Sequence, residues 1–245
     1  MNKKRLGIVK ILGIIPARGG SKKIPYKNIA LVAGRPLIWY AIKEAKKAKL
    51  LDAFIVSTDS SKIAKIAKSF GADVPFLRPK KYSRDLSPDT EFLKHALKWV
   101  KEHRGWEPEI LVNIRPSSPL RTAQDIDKVI SVAVKEKCNL VKTVSSPSPH
   151  NPFKMWSLKN KGKSEIKPLL PTSYYKKLGT DIPRQILPKV YWQNGLVDAI
   201  NVKALKQNKI FSGKIYGVIT DPKKSFDLDE PKDLILLNQI IKKKK

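Results

Sequence analysis

Short apolar runs alternate with amphipathic segments from the start of this chain to about residue 145, and this alternation constrains the fold most. The runs have the length of buried strands, and the segments between them repeat apolar residues with the spacing of one helical face. Strands are predicted at residues 11–15, 54–57, 110–114 and 140–144, and helices at 36–48, 60–70, 90–103 and 122–135. Such alternation is typical of an α/β domain whose mostly parallel sheet is covered by helices on both faces.

The alternation stops between about residues 146 and 192, where prolines are frequent and Tyr174 and Tyr175 stand side by side. It resumes with predicted strands at 195–201 and 215–219 and a closing helix at 230–241. We interpret the chain as one domain spanning residues 6–241 with an insertion at about 146–192. A proline-rich, aromatic insertion of this kind fits an arm that contacts a second copy of the chain.

The formal charge of +29 is in the range of nucleic-acid-binding proteins. However, the basic residues are mostly lysines spread over the whole chain, and no cluster of arginines interleaved with aromatic residues occurs. We therefore expect no dedicated nucleic-acid binding, and we keep a basic nucleic-acid-binding protein as the alternative from a different class.

Cys138 is the only cysteine, which excludes an internal disulfide and a zinc site made of several cysteines. No apolar run approaches the roughly 18 residues that a membrane-spanning helix needs. We expect a cytoplasmic protein without a membrane partner.

The loop after the first predicted strand reads Pro-Ala-Arg-Gly-Gly-Ser-Lys-Lys-Ile-Pro-Tyr-Lys-Asn and is rich in glycine and cations. Gly19 and Gly20 allow a tight turn that directs backbone N–H groups at an anion. Arg18 can bind phosphate oxygens with its fork of donors, and Lys22 and Lys27 add point charges. Ligands of such sheets bind beyond the carboxyl ends of the strands, so the loop predicts a polyphosphate site. Its spacing matches neither the dinucleotide-binding fingerprint nor the Walker P-loop.

Asp227 and Asp229 flank Leu228 near the end of the chain. In an extended segment, alternation sends both carboxylates to the same side. Two carboxylates suit Mg²⁺ when substrate phosphates and water complete its coordination. The alternative is that Asp229 caps the helix that begins at about residue 230.

These motifs, in this order, resemble the signature of the acylneuraminate cytidylyltransferases, the CMP-sialic acid or CMP-nonulosonic acid synthetases. The matching segments beyond the first loop are Val-Ser-Thr-Asp at 56–59, Arg-Pro-Ser-Ser-Pro-Leu-Arg at 115–121, Pro-Arg-Gln at 183–185 and Asp-Leu-Asp at 227–229. The resemblance spans nearly the whole chain. The related CMP-Kdo synthetases are the alternative, but the Gly-Gly-Ser-Lys form of the first loop favours the sialic acid side.

The resemblance implies a three-layer, Rossmann-like fold of the nucleotide-diphosphosugar transferase type, with an inserted dimerisation and sugar-binding arm. It implies that CMP from CTP is joined to the anomeric hydroxyl of an acidic nine-carbon sugar, with Mg²⁺ as cofactor and release of pyrophosphate. A homodimer is expected.

Three groups of site residues follow from the same resemblance. Those expected to bind the nucleotide are Arg18, Gly19, Gly20, Ser21, Lys22, Lys27, Asn28, Arg78 and Ser87. Those expected to bind the sugar are Arg115, Lys154 and Arg184. Catalytic roles are expected for Lys22, Arg184, Asp227 and Asp229, of which the two aspartates hold the metal.

Two positions depart from the family pattern together. Arg115 stands where the family commonly has glutamine, and Trp192 stands where several members have the arginine that holds the sugar carboxylate. We predict that Arg115 takes over this carboxylate.

Overall fold

The computed structural model describes residues 10–147, 150–159, 165–174 and 183–243. The strands are β1 Ile11–Pro16, β2 Leu31–Val32, β3 Arg35–Pro36, β4 Ala53–Ser57, β5 Ile110–Asn113, β6 Leu140–Ser145, β7 Trp156–Leu158, β8 Ile166–Pro168, β9 Trp192–Asn201 and β10 Ile215–Ile219. The α-helices are α1 Leu37–Lys47, α2 Ser61–Ser69, α3 Asp89–Arg104, α4 Ala123–Glu136, α5 Val202–Lys206 and α6 Pro231–Lys242. Short 3₁₀ helices lie at Lys27–Ile29, Lys80–Tyr82, Pro152–Lys154, Thr172–Tyr174, Arg184–Ile186 and Pro222–Lys224.

Six strands form one sheet in the order β10-β6-β9-β5-β1-β4. β1 runs parallel to both β4 and β5, β10 runs parallel to β6, and β9 runs antiparallel to β5. The prediction of a mostly parallel sheet is therefore confirmed. Because β1, β4 and β5 point the same way, the loops after them leave the sheet at one edge.

Helices cover both faces of this sheet. Leu12 and Ile14 pack on one face with apolar residues of α3 and α5, whereas Ile15 packs on the other face with residues of α1, α2 and α4. The alternation of side chains along β1 produces this division, because successive residues of a strand point to opposite faces. The result is the predicted three-layer α/β architecture.

Helix boundaries follow local chemistry. α1 begins at Leu37 rather than at Pro36 as predicted, because Pro36 pairs with Leu31 in the β2–β3 hairpin. Thr122 and Asp125 form a capping box at the start of α4. Among the described residues, no helix is both long enough and apolar enough to cross a membrane.

The chain divides into two compact units. The larger comprises Met1–Val144 and Asn194–Lys245 and contains most of the sheet. The smaller, Ser145–Gln193, covers about the residues of the predicted insertion. It has the β7–β8 hairpin and a small apolar cluster of its own around Phe153 and Leu187. Tyr174 is exposed in it, and Tyr175 lies outside the described residues.

Candidate active site

A cavity of about 280 Å³ opens in the larger unit and draws its walls from the loops after β1 and β5, from the segment between α2 and α3, and from the start of α3. Two backbone hydrogen bonds join these segments to the end of β4, from Ala17 N to Ser57 O at 2.9 Å and from Arg78 N to Thr58 O at 2.7 Å. The predicted site residues that line the cavity are Arg18, Lys27, Asn28, Arg78, Ser87 and Arg115.

Two hydrogen bonds restrain the glycine-rich loop. Asn28 Nδ2 donates to Arg18 O at 2.9 Å, and Gly19 N donates to Asp59 Oδ1 at 2.8 Å. The N–H of Gly19 is therefore paired with a carboxylate in this arrangement. Gly19, Gly20 and Ser21 line a separate cavity beside the N-terminus of α2, so the structure does not bring them to the same cavity as Arg18.

Asp85, which the sequence analysis did not select, pairs with two cations of this loop. Its Oδ1 accepts from Arg18 Nη1 at 2.9 Å, and its Oδ2 lies 2.6 Å from Lys22 Nζ. The hydrogen bond from Lys22 holds the pKa of the Asp85 carboxyl below its ordinary value. Lys22 itself is largely exposed, so its ammonium group is accessible to an incoming anion.

The aspartate pair lies where the first loop meets the start of α6. Leu228 is fully buried and its N–H donates to Ser117 O at 2.9 Å, while Asp227 and Asp229 on either side are exposed. Asp229 accepts from Lys23 Nζ at 2.8 Å and lies 3.4 Å from Lys27 Nζ. The bond from Lys23 lowers the pKa of Asp229, so this carboxylate is ionised at neutral pH.

The alternative that Asp229 caps the last helix is wrong. The N-cap of α6 is Glu230, which forms a capping box with Asp233, and the carboxylate of Asp229 bonds to lysines instead. Two exposed carboxylates on either side of the buried Leu228 suit a Mg²⁺ ion. The described residues contain no group of three or more potential metal ligands, so oxygens of a substrate and water would complete the coordination.

Arg78 is buried and its side chain binds the last residue of β4. It donates from Nε to Ser57 Oγ at 3.0 Å and from Nη2 to the Ser57 carbonyl, and its guanidinium carbon lies 4.7 Å from the ring centroid of Phe92. These partners are uncharged, and burial lowers the pKa of Arg78 to about 10. Since it lines the cavity, it can offer charge to a ligand without giving up a salt bridge among the described residues.

Arg115 lies between two carboxylates. Nη1 donates to Asp198 Oδ2 at 2.7 Å and Nη2 donates to Asp89 Oδ2. Burial acts to lower the pKa of the Arg115 guanidinium, but Asp198 and Asp89 outweigh it and raise the pKa. Binding of a sugar carboxylate by Arg115 stays a prediction, and such a ligand would have to share the guanidinium with these two aspartates.

Three predicted residues belong to the smaller unit. Lys154 closes the 3₁₀ helix Pro152–Lys154, and Trp192 begins β9 with an exposed side chain. Arg184 begins the 3₁₀ helix Arg184–Ile186, and its side chain lies outside the described part of the structure. The sugar-binding roles of Lys154 and Arg184 stay predictions.

The family model described as cytidylyltransferase matches residues 12–168. The chain belongs to the cytidylyltransferase family. The resemblance inferred from the motifs is therefore confirmed at the level of the family.

Several relatives match nearly the whole chain. A protein of Legionella pneumophila named CMP-N,N'-diacetyllegionaminic acid synthase is 31% identical over 95% of this chain and 97% of its own length. Post-translational flagellin modification protein B of Campylobacter coli is 32% identical over 96% of each chain. The N-acylneuraminate cytidylyltransferase of Escherichia coli O18:K1:H7 is 30% identical over 96% of this chain and 53% of its own.

A solved structure shares the fold of this cytidylyltransferase. CMP:2-keto-3-deoxy-manno-octonic acid synthetase, complexed with CTP, aligns with a TM-score of 0.71 over 96% of this chain and 100% of the other, at 15% identity. At this identity the likeness shows the architecture alone, and it agrees with the predicted fold class.

Three residues that position Arg115 were not predicted from the sequence. Arg121 is buried and donates from Nη1 to the carbonyl oxygens of Arg115 and Leu196, both at 2.9 Å, so it holds the backbone of Arg115 against β9. Asp89 and Asp198 hold the side chain of Arg115. No spacing in the sequence links these residues, because the sheet order alone brings β5 beside β9.

Proposed function

We propose that this chain transfers CMP from CTP to the anomeric hydroxyl of a nonulosonic acid of the sialic type and releases pyrophosphate. The observation that carries the proposal is the cation-rich cavity of Arg18, Lys27, Arg78 and Arg115 at the carboxyl ends of parallel strands, in a chain of the cytidylyltransferase family. The names of relatives that match nearly the whole of this chain, among them a legionaminic acid synthase and an N-acylneuraminate cytidylyltransferase, support the choice of sugar class.

In the proposed reaction, the anomeric hydroxyl of the sugar loses its proton to solvent, and its oxygen forms a bond to the α-phosphorus of CTP. The bond between the α-phosphorus and the bridging oxygen to the β-phosphate breaks, and pyrophosphate leaves with the electron pair. Nucleotidyl transfer of this kind depends mainly on positioning and on neutralising charge. Arg18 and Lys27 line the cavity and Lys22 is exposed. These three cations are suited to hold the phosphates once they leave the carboxylates of Asp85 and Asp229.

Asp227 and Asp229 would hold the Mg²⁺ ion. When bound, the ion would screen the charge that develops on the phosphate oxygens. Lys23 and Lys27 keep Asp229 ionised, and an ionised carboxylate is the form that binds a metal. Displacement of these two lysines from Asp229 would free them to contact phosphate oxygens.

We further propose a cytoplasmic homodimer that forms through the smaller unit. In its β7–β8 hairpin, Trp156 and Leu158 lie on one face and Leu158 is opposite Ile166, and all three are exposed. Exposed apolar faces of this kind mark association sites in soluble proteins. A second copy of the chain would cover them.

The function is tested by measuring pyrophosphate release from CTP and Mg²⁺ with a panel of sialic, legionaminic and pseudaminic acids and Kdo. We expect release with at least one nine-carbon acid and little with Kdo, and mass spectrometry should detect the corresponding CMP-sugar. Release with Kdo alone would contradict the sugar class. No release with any sugar, combined with salt-sensitive binding to DNA or RNA, would favour the nucleic-acid-binding alternative.

A further inference from the structure

Two carboxylates, those of Asp85 and Asp89, line the otherwise cationic cavity. Both oxygens of Asp85 are engaged, one by Arg18 and one by Lys22. Asp89 differs, because Oδ2 accepts from Asn113 Nδ2 at 3.0 Å and from Arg115 while no hydrogen bond from the described residues reaches Oδ1. Oδ1 of Asp89 is therefore an anionic acceptor in the cavity that has no donor among the described residues.

This acceptor is held in a fixed position. Asp89 is the first residue of α3, and Asn113 is the last residue of β5. Arg115, its other partner, is in turn bound at 2.7 Å by Asp198, whose side chain is only 6% exposed. The side chain of Asp89 is 45% exposed, so Oδ1 is restrained through Oδ2 and remains accessible to a ligand.

The charge of Asp89 limits what it can bind. Phosphates are anions and are repelled by a carboxylate, so Asp89 favours a hydrogen-bond donor or a cation. The exocyclic amino group of cytosine is such a donor, and aspartate is a suitable acceptor for it, whereas uracil has a carbonyl oxygen at that position.

Planar groups beside Asp89 suit a base. Phe92 lies three positions after Asp89 in α3 and thus on the same helical face. The guanidinium carbon of Arg78 lies 4.7 Å from the Phe92 ring centroid, and all three residues line the cavity. Bases stack on guanidinium planes, and the guanidinium of Arg78 is supported from behind by the buried ring of Phe92, so the wall beside Asp89 fits the nucleobase better than it fits the triphosphate.

We propose that Asp89 accepts a hydrogen bond from the amino group of cytosine and thereby selects CTP over UTP. This inference rests on the proposed function to the extent that CTP binds in this cavity. A purely structural role is the competing explanation, because an acidic residue in the first turn stabilises a helix and Asp89 also pairs with Arg115. Such a role does not distinguish cytosine from uracil.

The test is equilibrium binding of CTP and of UTP, in the presence of Mg²⁺, to the full chain and to two variants by titration calorimetry. In Asp89→Asn the ratio of CTP to UTP affinity should fall roughly 10- to 100-fold, since a hydrogen bond to a charged group is lost and the amide can donate to uracil. Asp198→Asn is the matched control. Asp198 binds the same guanidinium but is not among the residues that line the cavity, so its variant should leave the ratio unchanged.

An equal loss of CTP and UTP affinity in Asp89→Asn, or an unchanged ratio, would overturn the proposal. Thermal unfolding shows whether each variant is folded, and Asp89→Ser, which also removes the charge, should lose the preference as Asp89→Asn does. Failure of the proposed function has a different readout, because CTP would then bind with a preference over UTP and yet no pyrophosphate would be released with any sugar. A chain that binds neither nucleotide would contradict both proposals.

Discussion

Lys23 Nζ lies 2.8 Å from Asp229 Oδ2, although the two residues are 206 positions apart in the sequence. Lys27 Nζ approaches the other oxygen of the same carboxylate at 3.4 Å. The loop proposed to bind phosphates is therefore in direct contact with Asp229, one of the two aspartates proposed to bind Mg²⁺. A metal ion held by Asp229 would lie beside the cations that neutralise the triphosphate, which is the arrangement that nucleotidyl transfer needs.

The first prediction concerns the metal. Asp227→Asn and Asp229→Asn should each lower turnover by about a hundredfold or more, because loss of one main electrostatic contact at a transition state costs about 2.7–4 kcal/mol. Chelator should abolish activity and added Mg²⁺ should restore it, as measured by pyrophosphate release. Asp221→Asn serves as control, since Asp221 caps a 3₁₀ helix nearby and asparagine can cap as well. Full activity in excess chelator would refute the metal assignment.

The second prediction concerns the stability of the ion pairs around Arg115. Arg115→Gln leaves Asp198 nearly buried with Lys142 Nζ at 3.6 Å as its remaining cation. We expect the free energy of unfolding to fall by roughly 1–3 kcal/mol. This loss is smaller than for a buried charge without any partner, because Lys142 still pairs with Asp198. Adding Asp198→Asn should recover part of this loss in denaturant titrations. Additive losses in the double variant would show that the two side chains do not interact.

The third prediction concerns substrate choice by the same arginine. If Arg115 contacts the sugar, Arg115→Gln should raise KM for the sugar far more than KM for CTP. Steady-state kinetics with each substrate varied in turn gives this comparison. Equal increases in both KM values would place Arg115 in a supporting role for the whole cavity.

The fourth prediction concerns acid stability. Burial acts to raise the pKa of Asp125, but the hydrogen bonds from Lys224 and from Thr122 outweigh it, and the pKa lies below its ordinary value. The folded state therefore favours the ionised carboxylate. The stability that Asp125 contributes is present above about pH 4, the ordinary pKa of aspartate, and is lost as pH falls through the lower folded-state pKa.

Asp125→Asn should accordingly be less stable than the parent chain by about 1–3 kcal/mol at pH 7, and the difference should shrink below about pH 4. Denaturant titrations at pH 7, 5, 4 and 3 measure this difference. A gap that widens on acidification would contradict the assigned sign.

The fifth prediction concerns association. Light scattering at micromolar concentration should give twice the chain mass of 27.7 kDa. Leu158→Lys, placed on the exposed face of the β7–β8 hairpin, should shift the protein toward monomer, whereas Lys159→Ala beyond the end of β7 should not. A parent chain found only as monomer would rule out the proposed dimer.

Periodicity predicted the layers of this fold because each strand and helix is encoded by local spacing. The pairing of Arg115 with Asp198 could not be predicted from local spacing. It depends on the order of the strands, because β9 lies between β5 and β6 and brings Asp198 to Arg115. The cations of the first loop were predictable from type and position, whereas their partners Asp85 and Asp229 come from distant segments. Local sequence also did not identify the N-cap of α6, which is Glu230 and not its neighbour Asp229.

The most direct test of cytidyl transfer follows the anomeric oxygen of the sugar. A nonulosonic acid that the panel assay identifies as a substrate is labelled with ¹⁸O at the anomeric hydroxyl and incubated with CTP, Mg²⁺ and the full chain. Mass spectrometry should find the label in the bond that joins the sugar to CMP, and the pyrophosphate should be unlabelled, because the sugar oxygen attacks the α-phosphorus. A CMP-sugar without the label, or labelled pyrophosphate, would contradict this mechanism.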